Sequence, residues 1–125
     1  MGTPDYYLPI MPYLIVDQAD QFTDFIRQVF DAEERLMARR ADGTVQHAEF
    51  SFSRATIMLS EANANCAAFP GNMFVLLNDI DAIYEKALAN GATSLHPPSD
   101  LEYGRSAGFQ DGNGNQWWIT EPVPN

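Results

Sequence analysis

The chain repeats its own order of elements, and an internal repeat limits a fold more than any other sequence feature. Met58-Leu59-Ser60-Glu61-Ala62 aligns with Trp118-Ile119-Thr120-Glu121-Pro122, sixty positions further on. Val16-Asp17-Gln18-Ala19-Asp20 aligns with Leu77-Asn78-Asp79-Ile80-Asp81, sixty-one positions further on. One residue is therefore missing from the second half, in its helix or in the turn after it. Each half reads strand, helix, strand, strand, strand. A half-sheet with one helix cannot bury both of its faces, so two copies should pair into one sheet or barrel. The 125 residues make one domain, 1–125, with module one at 1–65 and module two at 66–125.

The elements follow from spacing. Residues 8–16 read as a strand whose early prolines suit an edge, and Asp17 is placed to cap the helix after it. Phe22, Phe25, Ile26, Val29 and Phe30 recur at helical spacing. Residues 36–40 form a short strand, and Ala41-Asp42-Gly43-Thr44 a hairpin turn. Strands at 45–52 and 55–61 complete the first half. Residues 62–71 are small, polar and broken by Pro70-Gly71, and read as a linker. In the second half the spacing predicts a strand at 72–77, a helix capped by Asp79 and stopped by Asn90-Gly91, and a short strand at 92–95. His96-Pro97-Pro98-Ser99 reads as a loop. Strands at 105–111 and 116–121 flank the turn Gly112-Asn113-Gly114-Asn115.

Composition narrows the partners. Seven Lys and Arg face 17 Asp and Glu, a net charge of −10. An acidic surface repels phosphates, which argues against nucleic acid; it would concentrate cations. No apolar run approaches the ~20 residues that span a bilayer, so no membrane role is expected. The lone Cys66 excludes an internal disulfide and a thiolate-rich metal site. A single free thiol, with no secretory signal at the N-terminus, fits a reducing cytoplasm.

Strand alternation sorts side chains onto two faces. Leu14, Val16, Ala48, Phe50, Phe52, Ile57 and Leu59 suit the helix side. Pointing away from it are Met11, Tyr13, His47, Glu49 and Met58 in the first half, and Asn72, Phe74, Ala107, Phe109 and Trp118 in the second. That mixture of large apolar side chains and a few polar groups is the composition of a small-molecule pocket. An acid is rarely buried without a partner, so His47 and Glu49 favour a cavity over a packed interior. Two positions apart, they share a face and could serve as base and orienter. Arg105 could hang over the pocket mouth and take a carboxylate, or pair with a surface acid.

These residues resemble a family. Pro12-Tyr13-Leu14-Ile15-Val16-Asp17, His47-Ala48-Glu49-Phe50, Ile57-Met58-Leu59-Ser60-Glu61, Asn90-Gly91-Ala92 and the run from Asp111 to Trp118 are similar to segments of the vicinal oxygen chelate superfamily. That group includes glyoxalase I, extradiol dioxygenases and bleomycin-resistance proteins. The resemblance covers nearly the whole chain. It implies an α+β fold of two tandem βαβββ modules in a U-shaped sheet or partial barrel, with helices on the outer face, and it implies a homodimer. The metal enzymes of the group place one ligand on the first and one on the last strand of each module. Those positions are Met11, Met58, Asn72 and Trp118 here. Two thioethers, an amide and an indole do not suit a divalent cation, so no metal and no cofactor are expected.

The resulting expectation is a metal-independent binding protein of the glyoxalase/bleomycin-resistance type. It would sequester a bulky aromatic compound, cationic ones included, and Met11, Tyr13, His47, Glu49, Met58, Asn72, Phe74, Arg105, Phe109 and Trp118 would bind it. A second reading is a glyoxalase-like lyase or isomerase using Glu49 and His47 as catalytic acid and base. A third is an accessory subunit with a vestigial pocket.

Overall fold

The protein is described by a computed structural model covering residues 2–124. It contains β1 (Tyr13–Val16), α1 (Ala19–Phe30), β2 (Glu33–Arg39), β3 (Val45–Phe52), β4 (Ala55–Glu61), β5 (Asn72–Leu76), α2 (Ile80–Ala89), β6 (Thr93–Leu101), β7 (Gly104–Gln110) and β8 (Gln116–Pro122). The repeat is reproduced in both topology and register. One four-stranded sheet runs β1-β4-β3-β2 and the other β5-β8-β7-β6. In each, the first strand pairs in parallel with the last, Tyr13 opposite Met58 and Phe74 opposite Trp118. The chain divides into two compact units, 1–69 and 70–125.

In the first unit, α1 buries Phe22, Phe25, Ile26 and Val29, and packs on β3 and β4. The strand residues facing it, Leu14, Val16, Ala48, Phe50, Ile57 and Leu59, are buried. Phe30 stacks on Phe52 with ring centres 4.8 Å apart. Each such aromatic withdraws enough apolar surface to contribute about 1.5–3 kcal/mol. In the second unit, α2 buries Ile80, Tyr84 and Ala87 over β6 and β7, and the Tyr84 hydroxyl donates to Ser94 Oγ at 2.6 Å.

Several boundaries differ from the sequence reading. β1 begins at Tyr13 rather than Leu8, because Pro9 and Pro12 have no N–H to give a ladder. Gln18, not Asp17, occupies the start of α1, and neither helix has a side-chain cap. The expected linker is partly tied into the first unit, since Phe69 N–H donates to the Ile15 carbonyl at 3.0 Å. The expected loop at 96–99 lies within β6. Its ladder slips between Ser94 and His96 and again between His96 and Ser99, and such bulges tolerate proline inside a strand.

Candidate functional site

The helix-free face of the first sheet carries Tyr13, His47, Glu49 and Met58, as alternation requires, with Glu49 directly opposite Met58. This face is covered by the segment before β1. The Tyr6 hydroxyl donates to Glu49 Oε1 at 2.7 Å, and the Tyr7 hydroxyl to Oε2 at 2.5 Å. His47 Nε2 lies 2.8 Å from Oε2. A carboxylate only accepts, so Nε2 carries the proton, and in the neutral ring Nδ1 accepts from the Tyr13 hydroxyl at 3.1 Å. The Thr56 hydroxyl anchors the segment by donating to the Tyr6 carbonyl.

Glu49 is 1% exposed. Burial pushes its carboxyl upward, but the hydrogen bonds from Tyr7, His47 and Tyr6 outweigh that and hold it below the ordinary range. Both oxygens are occupied by donors and the group is held as the anion. It is therefore poorly placed to collect a substrate proton. Nor does its burial imply a cavity, because two tyrosines and a histidine supply its partners. Conversely, Glu49 accepts the Tyr7 phenol's hydrogen bond and raises the Tyr7 pKa to about 12, and it raises Tyr6 as well. A raised phenol keeps its proton in the folded state, so this contribution to stability holds below the unfolded value of 10.0 and disappears as pH rises through about 12. Tyrosinate absorbance should accordingly show Tyr7 ionising late. In Glu49→Gln that late step should move toward the ordinary range; an unmoved step would refute the assignment.

The helix-free face of the second sheet is open. A cleft of about 270 Å³ lies over it. Phe74, Leu101, Ala107 and Trp118 give it an apolar wall, and His96, Tyr103, Ser106 and Thr120 add polar groups. Ser106 and Thr120 bond to each other at 2.7 Å through their hydroxyls. Phe74, on the edge strand β5, is 61% exposed and Trp118, on its neighbour β8, 36%.

Gly108 fixes the indole. It sits opposite Trp118 across the β7–β8 ladder, and a Cβ built on it would collide with Trp118 Cζ3 and Cε3. The ring thus rests on bare backbone, while its Nε1–H donates to Asn72 Oδ1 at 3.3 Å. Gly108→Ala should force the ring to shift, at about 1–3 kcal/mol by analogy with overpacked cores, and should change tryptophan emission. An unaltered spectrum with unaltered stability to urea would contradict this packing.

The expected residues therefore divide. Tyr13, His47, Glu49 and Met58 share the first face, and Asn72, Phe74 and Trp118 share the second. Met11 lies before β1, half-buried, with the Leu8 N–H 3.5 Å from its sulfur. Three residues are corrected. Phe109 is opposite Trp117, not Trp118, and is wholly buried on the helix side. Arg105 does not line the cleft. Its guanidinium bonds both oxygens of Asp81, at 2.7 and 3.0 Å, and Asp100 at 3.0 Å, which hold its pKa above the usual value. Ala107, next to Phe109 and opposite Ile119, likewise follows the helix-side row, although it borders the cleft. Sequence reasoning missed Tyr6, Tyr7, His96 and Ser106. An adjacent tyrosine pair ahead of a strand was the available signal for the first two.

The four positions where metal enzymes of the resembled group carry ligands do not fit a metal here. The Asn72 oxygen receives the Trp118 N–H, and the other two positions offer only thioethers. Among the described residues no three His, Cys, Asp or Glu side chains gather, and no helix is long and apolar enough to cross a membrane.

Each module packs one helix against a four-stranded sheet, and the second carries an aromatic cleft on its helix-free face. The chain belongs to the glyoxalase/bleomycin resistance protein/dioxygenase superfamily, whose family model matches residues 5–119. Among curated proteins it is similar to the uncharacterized protein Mb0911c of Mycobacterium bovis, 28% identical over 126 residues, covering 91% of this chain and 83% of that one. Among solved structures it is similar to TioX from Micromonospora sp. ML1, with a TM-score of 0.76, 20% identity, and coverage of 94% of this chain and 100% of that one. It is also similar to TnmS3, an antibiotic binding protein from Streptomyces sp. CB03234, with a TM-score of 0.71, 16% identity, and coverage of 94% and 100%.

Proposed function

We propose that the protein binds a planar aromatic small molecule of the antibiotic type, without transforming it, in the cleft of its second unit. The observation that carries this reading is the Trp118 indole. It is pinned from below by Gly108, tethered at its N–H by Asn72, and left partly exposed beside Phe74 within an apolar cleft. A ring held in place before a ligand arrives loses little freedom on stacking, and offset stacking favours flat guests. The likeness to an antibiotic binding protein agrees with this reading. The lyase reading loses its support because both oxygens of Glu49 already accept hydrogen bonds.

Titration with a naphthalene-sized aromatic alcohol should quench tryptophan emission saturably, and Trp118→Ala should weaken binding at least tenfold while the variant still unfolds cooperatively in urea. Equal affinity in Trp118→Ala would overturn the assignment. Turnover of a methylglyoxal–thiol adduct, abolished by Glu49→Gln, would restore the enzymatic reading. A homodimer is part of the proposal and is checked by sedimentation equilibrium.

A further inference from the structure

The chain's charge of −10 points toward cationic guests, but the residues lining the cleft share none of that negative charge. Its lining contains no carboxylate; its titratable groups are His96 and Tyr103. A ligand ammonium placed there would meet ring faces but no anion. An acid group, in contrast, would meet the imidazole.

The register places that imidazole where a stacked guest ends. His96 is opposite Gly108, Gly108 is opposite Trp118, and Trp118 is opposite Phe74. These four positions form one cross-strand row. Strands are about 4.8 Å apart, so the row spans roughly 14 Å, and the Trp118 and His96 positions within it stand roughly 10 Å apart. Because Gly108 has no side chain, the benzo edge of the indole occupies its place, with Cζ3 and Cε3 lying where a Cβ would stand. The platform is thereby moved toward His96, which is exposed and, among the described residues, has no hydrogen-bond or ion-pair partner.

We propose that the cleft selects planar aromatic compounds carrying an acid group, and that His96 is the specificity-determining residue that meets the acid. The inference rests on the aromatic-binding reading above. A carboxylate or phenolate oxygen accepts from the imidazole N–H in either protonation state of the ring, and more strongly when the ring is charged. Nearby acids do not compete for the imidazole within the cleft. Asp100 and Asp81 are paired with Arg105. Glu121 accepts from the Asp79 N–H. Glu102 lies in the β6–β7 turn, outside the lining. Repulsion from the remaining surface charge is damped beyond about 8 Å at physiological salt.

The test is calorimetric titration of the full chain with 2-naphthoate, 2-naphthalenemethanol and 2-naphthylmethylammonium at one pH and physiological ionic strength. The naphthoate should bind at least tenfold more tightly than the ammonium. His96→Leu and His96→Gln should each weaken naphthoate severalfold or more, the leucine variant most, with the alcohol little changed. His96→Arg should preserve the preference. Urea midpoints confirm that the variants are folded, as an exposed position allows. Binding of the alcohol with no preference for the acid, or a preference that survives His96→Leu, overturns this inference alone. Failure of all three probes to bind overturns the aromatic-binding reading as well.

Discussion

Replacing Asp111 with alanine is expected to cost about 3 kcal/mol of folding stability, a large share of the total for a domain of this size. The carboxylate is buried in the turn before β8. Its Oδ1 accepts from the Asn113 and Asn115 main-chain N–H groups at 2.9 and 3.0 Å. Its Oδ2 accepts from Trp117 Nε1 at 2.9 Å and Asn115 Nδ2 at 3.2 Å. Trp117 is fully buried, so removing the acceptor leaves donors that water cannot reach, the costly side of hydrogen-bond energetics. The turn also holds the entry to β5, because Asn115 Oδ1 accepts from the Gly71 N–H at 2.9 Å. Asp111→Asn keeps one acceptor oxygen for the main-chain donors and turns an NH₂ toward the indole N–H, so about half the loss is expected. Urea denaturation of the two variants measures both. A loss below about 1 kcal/mol in the alanine variant would show that the turn forms without this carboxylate.

Glu49→Ala is expected to have an effect of similar size, about 3 kcal/mol, with a pH signature of its own. Removal of the carboxylate deprives Tyr6, Tyr7 and His47 of a shared acceptor. The sign of the pH dependence follows from the direction of its pKa. The folded carboxyl lies below its ordinary value of 4.5. Its stabilising contribution is therefore complete above that value and fades as pH falls through the lower folded one. Wild-type stability should decline on acidification more steeply than that of Glu49→Ala. Chymotrypsin should also cut the variant faster at Tyr6 and Tyr7, whose segment would lose its main tie to the sheet. Parallel acid dependence in the two proteins, with equal cleavage rates, would remove Glu49 from this role.

The architecture was legible because it rests on periodicity. Phe22, Phe25, Ile26 and Val29 sit on one side of a helix whatever the tertiary context, and the alternation of 45–52 correctly separates Phe50 from Glu49. Phe109 shows where alternation fails. A one-residue shift in phase exchanges the two faces of a strand, and Gly108, lacking a side chain, gives no signal against it. The pattern therefore puts Phe109 in the pocket, on the face where the bare Gly108 stands. His96 is obscured differently. Two prolines after it suggest a loop, and only the paired register slips of β6 reveal a strand. Tyr6 and Tyr7 reach a partner more than forty positions away, a relation that no local spacing encodes.

Glu49 and Gly108 are the same place in two copies of one design, opposite Met58 in the first and Trp118 in the second. A charged residue there draws two tyrosine hydroxyls, and a bare backbone there seats an indole ring. Duplication thus let one copy become an anchor while its twin kept an aromatic ring partly exposed. Substitutions around that ring leave the tyrosine anchor of the first copy untouched.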